Sequence, residues 1–116
     1  MNHVVYVAGP ITGVENYEEP FLYAAERLRA MGFVPLLPVV LPAGMTDPQY
    51  MRICFPMIDV SAMVLFLHRW PHSKGALGEY DHCNSVGKPY VCCTAPIHTD
   101  HLWEEKVKTM MEAVNQ

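Results

Sequence analysis

Short, wholly apolar runs alternate along this chain with stretches whose apolar residues recur every three to four positions. His3 to Ala8 (HVVYVA) is the first run; it ends at Gly9-Pro10, which predicts a buried strand followed by a turn. Phe21, Ala24, Ala25 and Leu28 then follow i, i+3, i+4, i+7 spacing, with Glu18, Glu26, Arg27 and Arg29 largely on the opposite side. Asn16 is the expected cap of this helix, Glu19 completes a capping box, Pro20 falls in the tolerant first turn and Gly32 is the stop. Phe33 to Leu37 reads as a second strand, and the proline-rich Pro35 to Pro42 as an extended exit from it. A shorter helix starts at or beside Asp47 and ends near Ile58, with Pro56 disturbing its last turn. Ala62 to His68 is the clearest buried strand. A loop from Arg69 to Ser73 then leads into a helix from Lys74 to Val86, stopped by Gly87. Pro89 to Cys93 is the fourth strand. The segment from Thr99 to Val114 forms a last helix with Leu102, Trp103, Val107, Met110, Met111 and Val114 as its apolar positions.

Strands that read as continuous apolar runs and alternate with helices predict a parallel sheet covered on both faces. The expected fold is therefore α/β, a Rossmann-like or flavodoxin-like three-layer sandwich on a four- or five-stranded, mainly parallel sheet. With no repeat, linker or low-complexity tract, residues 1–116 read as one domain. In such sheets ligands bind beyond the carboxyl ends of the strands at the topological switch point. The loops after the first and third strands are where chemistry is expected.

Hydrophobic residues make up 51% of the chain and charged residues 17%, enough apolar material for a core. Eight Lys+Arg against twelve Asp+Glu leave a formal charge of -4, which argues against polymeric nucleic acid or an anionic membrane as the main partner. The longest uninterrupted apolar run, Ala62 to Leu67, is far short of a bilayer span, and the first residues carry no export signal. Cys54, Cys83, Cys92 and Cys93 form no C-x-x-C pair, and adjacent Cys92 and Cys93 should point to opposite sheet faces. These features predict a cytoplasmic protein with reduced, mostly buried thiols. Six histidines show no structural-zinc spacing and no H-E-x-x-H, so no metal is expected.

Two loops carry candidate chemistry. In Gly9-Pro10-Ile11-Thr12-Gly13 the glycines permit close backbone approach and Thr12 adds a hydroxyl beside a helix start, a possible phosphate cradle and equally an ordinary turn. In the second, Ser73 opens a helix whose first turn is kept slim by Gly75 and Gly78. Ala76, Tyr80, Cys83 and Val86 form its sheet-facing stripe, and Glu79 lies beside Ala76 and Cys83. A carboxylate there, held ionised by the helix N-terminus and partly stripped of water, suits attack on an anomeric carbon. A glutamate at the stripe's edge reaching back to solvent is the plainer alternative. Tyr6, near the end of the first strand, could aim the carboxylate if it faces the same side.

The frame Tyr6-Val-Ala-Gly9-Pro-Ile-Thr-Gly13, Ser73-Lys-Gly75-Ala-x-x-Glu79 and Gly87-Lys-Pro89 resembles the nucleoside 2-deoxyribosyltransferase superfamily. That superfamily includes hydrolases of 2'-deoxynucleoside 5'-monophosphates, and the likeness is closest to its small bacterial and phage branch. The resemblance spans about residues 4 to 91. It implies Glu79 as nucleophile, Tyr6 as its orienting tyrosine, and Ser73 at the sugar or 5'-phosphate. It places Gly9, Ile11, Thr12 and Gly13 in the loop around sugar and phosphate, with Pro10 inside it and Gly75 beside Ser73.

The resemblance also implies a homo-oligomer, a homodimer or larger, and no cofactor. Two departures stand out. Ile53 follows Arg52 where the family usually has a base-binding aspartate, and Ser61 stands where an aspartate usually opens the third strand; Asp59 should be structural. The expected activity is cleavage or transfer at the N-glycosidic bond of a small-molecule nucleoside or nucleotide through a glycosyl-enzyme intermediate. The alternative is a non-catalytic nucleotide-binding module that has lost the base-binding carboxylate. The apolar Pro35 to Pro42 stretch, with Trp103, Met110 and Met111, is the expected oligomer surface.

Overall fold

The computed structural model describes all of residues 1–116. Its chain runs β1 (Val4–Ala8), α1 (Glu18–Ala30), β2 (Val34–Leu36), α2 (Asp47–Val60), β3 (Met63–Phe66), α3 (Lys74–Val86), β4 (Tyr90–Cys92) and α4 (Leu102–Val114). The four strands form one all-parallel sheet in the order β2-β1-β3-β4. The chain leaves β1 toward one edge and returns to β3 on its other side. The switch point therefore falls at the carboxyl ends of β1 and β3, where the sequence placed it.

The alternation of side chains across the sheet divides the core into two layers. Val5, Val7, Met63 and Leu65 face α1 and α4, packing with Phe21, Leu28, Trp103 and Val107. Tyr6, Ala8, Val64 and Phe66 face α2 and α3, packing with Cys54, Ile58 and Cys83. Cys92 and Cys93 divide between the same two layers, as expected of neighbours in a strand. Tyr6 thus stands on the side of the sheet that carries Glu79.

Several local expectations are corrected. Asn16 does not cap α1: it is left-handed at φ 54°, and the helix begins after it at Glu18, with Tyr17 as an N-cap whose side chain makes no capping bond. The capping box instead belongs to α2. There the Thr46 hydroxyl accepts from the Gln49 backbone at 3.4 Å while the Gln49 side chain accepts from the Thr46 N–H at 2.9 Å. That helix runs through Pro56 to Val60, since the proline removes one helical bond without breaking the packing of Cys54 and Ile58 on either side. Beyond β2, residues Pro38–Val40 form a single 3₁₀ turn rather than extended chain. Val86 is exposed at the last turn of α3 and does not reach the sheet.

Trp103 and Met111 are buried by this chain's own α1 and sheet, so they supply no oligomer surface. The large apolar groups left bare include Val40, inside the Pro35 to Pro42 stretch, and Val34 just before it. No helix is long and apolar enough to cross a membrane.

The far end of the sheet is a structural clamp. His82 binds Asp59 at 2.7 Å, Ser61 Oγ donates to the Met57 carbonyl at 2.7 Å, and Lys88 Nζ donates to the Asp59 and Ser61 carbonyls. Gly87 adopts φ 73° to end α3 and turn the chain toward it. Asp59 therefore has a structural place, and Gly87-Lys88-Pro89 fastens β3 and β4 at the end of the sheet away from Glu79.

Candidate active site

Gly9 directly follows β1 and is buried against Leu67. A Cβ there would lie 3.0 Å from the Leu67 Cβ and 3.1 Å from its Cδ1, so only glycine lets the strand end turn this close to the neighbouring chain. Gly9→Ala is expected to cost about 1–3 kcal/mol through overpacking. Urea unfolding of the variant beside wild type will read the loss.

Across the switch point, Ser73 begins α3: its hydroxyl accepts from the Ala76 N–H at 3.2 Å, which leaves its own proton free for a ligand. One helical turn and a half further, Ala76, Glu79 and Cys83 face the sheet, and Glu79 is only 5% exposed. The hydroxyl of Tyr6 donates to Glu79 Oε2 from the central strand, across 73 residues of sequence.

Burial decides the electrostatics of this pair. It lifts the Glu79 carboxyl from 4.5 to about 7, with the Tyr6 hydrogen bond opposing the rise. The helix N-terminus does not hold Glu79 fully ionised, contrary to expectation. The residue lies in the second turn, beyond the reach of the terminal dipole, and desolvation dominates. Tyr6 is held well above its ordinary range by burial first and the Glu79 charge second, so it stays a donor at neutral pH.

Glu79 lines a cleft of about 320 Å³ together with Gly9, Ile11, Thr12, Ser73 and Gly75. Pro10 and Gly13 are not part of it. Pro10 lines an adjoining cleft, and Gly13, at φ 76°, lines a shallow hollow beside Tyr17 and Val39. The expected slimness at Gly75 is not a steric demand. A Cβ there would meet Met51 Cε at an ordinary 3.6 Å, so the missing side chain serves only to leave the cleft open. Ile53 lies outside the cleft and is partly exposed. No three His, Cys, Asp or Glu side chains converge as a metal centre.

The matched family covers this whole arrangement. The chain fits the family described as a domain of unknown function, DUF4406, over residues 3–92. It belongs to that family. The DUF4406 span contains all four strands and the first three helices, hence every residue of the cleft, and leaves α4 outside. No curated protein and no solved structure matches the chain.

Within the DUF4406 span, the cleft also holds Asp47, Tyr50, Cys54, His72 and Lys74, which the sequence reading did not single out. Asp47 and Tyr50 come from the start of α2, which Thr46 and Gln49 lock in place; the T-x-x-Q pattern was the available signal. The Cys54 thiol lies against the Tyr6 hydroxyl, and burial pushes it up. Nothing in the spacing of residues 6, 54 and 79 announces that they meet. Together the cleft offers a shielded carboxylate aimed by a fixed hydroxyl, a second carboxylate, and hydroxyl and cationic groups at its rim.

Proposed function

We propose that this chain cleaves or transfers at the N-glycosidic bond of a nucleoside or nucleotide, with Glu79 as nucleophile. The observation that carries the reading is the buried Glu79 carboxylate at the wall of an open cleft, aimed by the Tyr6 hydroxyl. A carboxylate needing only position and charge attacks C1', the base leaves on protonation or hydrogen bonding, and water or a second base resolves the glycosyl-enzyme intermediate. Tyr6 holds one carboxylate oxygen, which leaves the other to attack. Gly9, Ile11, Thr12 and Ser73 line the same cleft and are suited to the sugar and a 5'-phosphate, and hydrolysis of a nucleoside monophosphate is the favoured reaction. Asp47 in the same cleft offers the base a carboxylate where Ile53 cannot.

The test is incubation with a panel of nucleosides and nucleoside monophosphates and chromatography for free base. Release that vanishes in Glu79→Gln supports the reading. Stabilisation by a nucleotide without release, equal in wild type and variant, identifies a binding module instead.

Ser73→Ala is expected to lower stability by about 1 kcal/mol through loss of the cap. Its effect on binding should be larger for phosphorylated ligands. A hydrogen bond to a charged group is worth roughly 1.5–3 kcal/mol against about 0.5–1.5 for a neutral one. Equal losses by calorimetry would confine Ser73 to capping.

A further inference from the structure

Behind the rim of the Glu79 cleft lies a second cleft of about 410 Å³, joined to the first along Thr12, His72 and Ser73. The two differ in charge. The first contains the carboxylates of Asp47 and Glu79 and one lysine, Lys74. The second contains no carboxylate; Arg69, His68, His72 and His98 supply its polar wall, and Phe21, Leu67 and Ile97 its apolar one. With histidine counted neutral, as it is in the chain's formal charge of -4, Arg69 is the one formal charge in the second lining, and it is positive.

The basic groups there are largely uncommitted. His98 pairs with Glu19 of α1 at 3.4 Å, but Arg69, His68 and His72 have no carboxylate partner. Arg69 also sits at φ 68°, a left-handed conformation that costs an arginine about 1–2 kcal/mol and a glycine almost nothing. Arg69 is exposed and its guanidinium makes no hydrogen bond within the chain, so its donors are free for a multidentate anion at the mouth of this cleft.

We infer that the second cleft is an anion subsite, taking a phosphate that lies beyond the group held at the Thr12–Ser73 rim. Its ligand class is a diphosphate: a nucleotide whose chain crosses from the Glu79 cleft into the Arg69 cleft. Reading the ligand as a nucleotide rests on the function proposed for Glu79; the anion subsite itself does not.

Calorimetric titration with inorganic pyrophosphate tests it, in wild type, Arg69→Gln, Arg69→Gly and Glu79→Gln proteins. Pyrophosphate should bind wild type and Glu79→Gln alike, and about 10-fold or more weakly to both Arg69 variants, as expected for loss of a charged hydrogen-bonding partner. Arg69→Gly relieves the left-handed backbone, so it carries the test if Arg69→Gln is unstable. No binding to wild type, or equal binding to wild type and Arg69→Gly, overturns the subsite. Arg69-dependent pyrophosphate binding without base release from any nucleoside or nucleotide leaves the subsite standing and removes the glycosidase reading. Base release without pyrophosphate binding does the reverse.

Discussion

Glu79→Gln should lower turnover by at least about 100-fold, the factor that corresponds to some 2.7 kcal/mol of lost transition-state stabilisation. The amide has the shape of the carboxyl group and keeps an oxygen to accept from Tyr6, but it carries no charge to attack C1'. Binding of a nucleotide should survive, because Thr12, Ser73 and Gly75 are untouched. Stability should change in a direction that depends on pH. The folded chain holds the Glu79 proton more tightly than the unfolded chain does, since burial lifts the carboxyl from 4.5 to about 7. Raising the pH through this window removes a proton that the folded state favours, so wild-type stability falls between about pH 4.5 and 7 and stays lower above it. The full difference amounts to about 3 kcal/mol. Glutamine has no such penalty, so the variant should melt higher than wild type at pH 8.5, and the advantage should shrink toward pH 4.5. The new amide N–H groups need acceptors in a buried place, which keeps the gain below the full figure. Melting curves and base release on the same protein read both effects. A Glu79→Gln protein that turns over normally would sink the mechanism.

Tyr6→Phe is expected to act through Glu79 rather than on the substrate. Phenylalanine fills the same fully buried space, and only the hydroxyl is lost. That hydroxyl is the hydrogen-bond partner of the carboxylate and opposes the effect of burial, so its removal raises the Glu79 carboxyl further above 7. A hydrogen bond to a charged group is worth roughly 1.5–3 kcal/mol, and each 1.36 kcal/mol moves the midpoint by one pH unit. The acid limb of the rate profile should therefore move to higher pH by about one to two units, with turnover at pH 7 falling about 5- to 50-fold and the gap narrowing at high pH. Stability should fall most where wild-type Glu79 is ionised, above about pH 7, and least near pH 5. A uniform loss of rate at every pH would assign Tyr6 to packing alone.

The sequence by itself determined the layers and the chain's path between them. Apolar runs at His3–Ala8, Ala62–His68 and Pro89–Cys93, separated by periodic stretches, have only one economical burial, as parallel strands between helices. The α3 boundaries at Ser73 and Gly87 were legible for the same local reason: a capping hydroxyl and a left-handed glycine act within one turn. At Asn16 local chemistry misled, because a residue that caps well also tolerates the left-handed region, and here the chain uses it for the turn before the helix.

Only the tertiary structure decided the rest. Helical spacing put Glu79 on the stripe of Ala76 and Cys83, but whether that stripe buries a carboxyl depends on what the sheet presents to it. The pleat places Tyr6 with Ala8 toward α2 and α3, and its hydroxyl meets Glu79. The balance between desolvation and the Tyr6 hydrogen bond, which sets the carboxyl near 7, is a property of the closed layer and of no segment alone. The inclusion of Cys54 and Asp47 and the exclusion of Ile53 likewise follow from how α2 packs beside α3, while the second cleft is walled by α1 and the segments that follow β1, β3 and β4. Spacing along a chain specifies which face a residue takes; long-range packing specifies what stands opposite that face, and the chemistry depends on both.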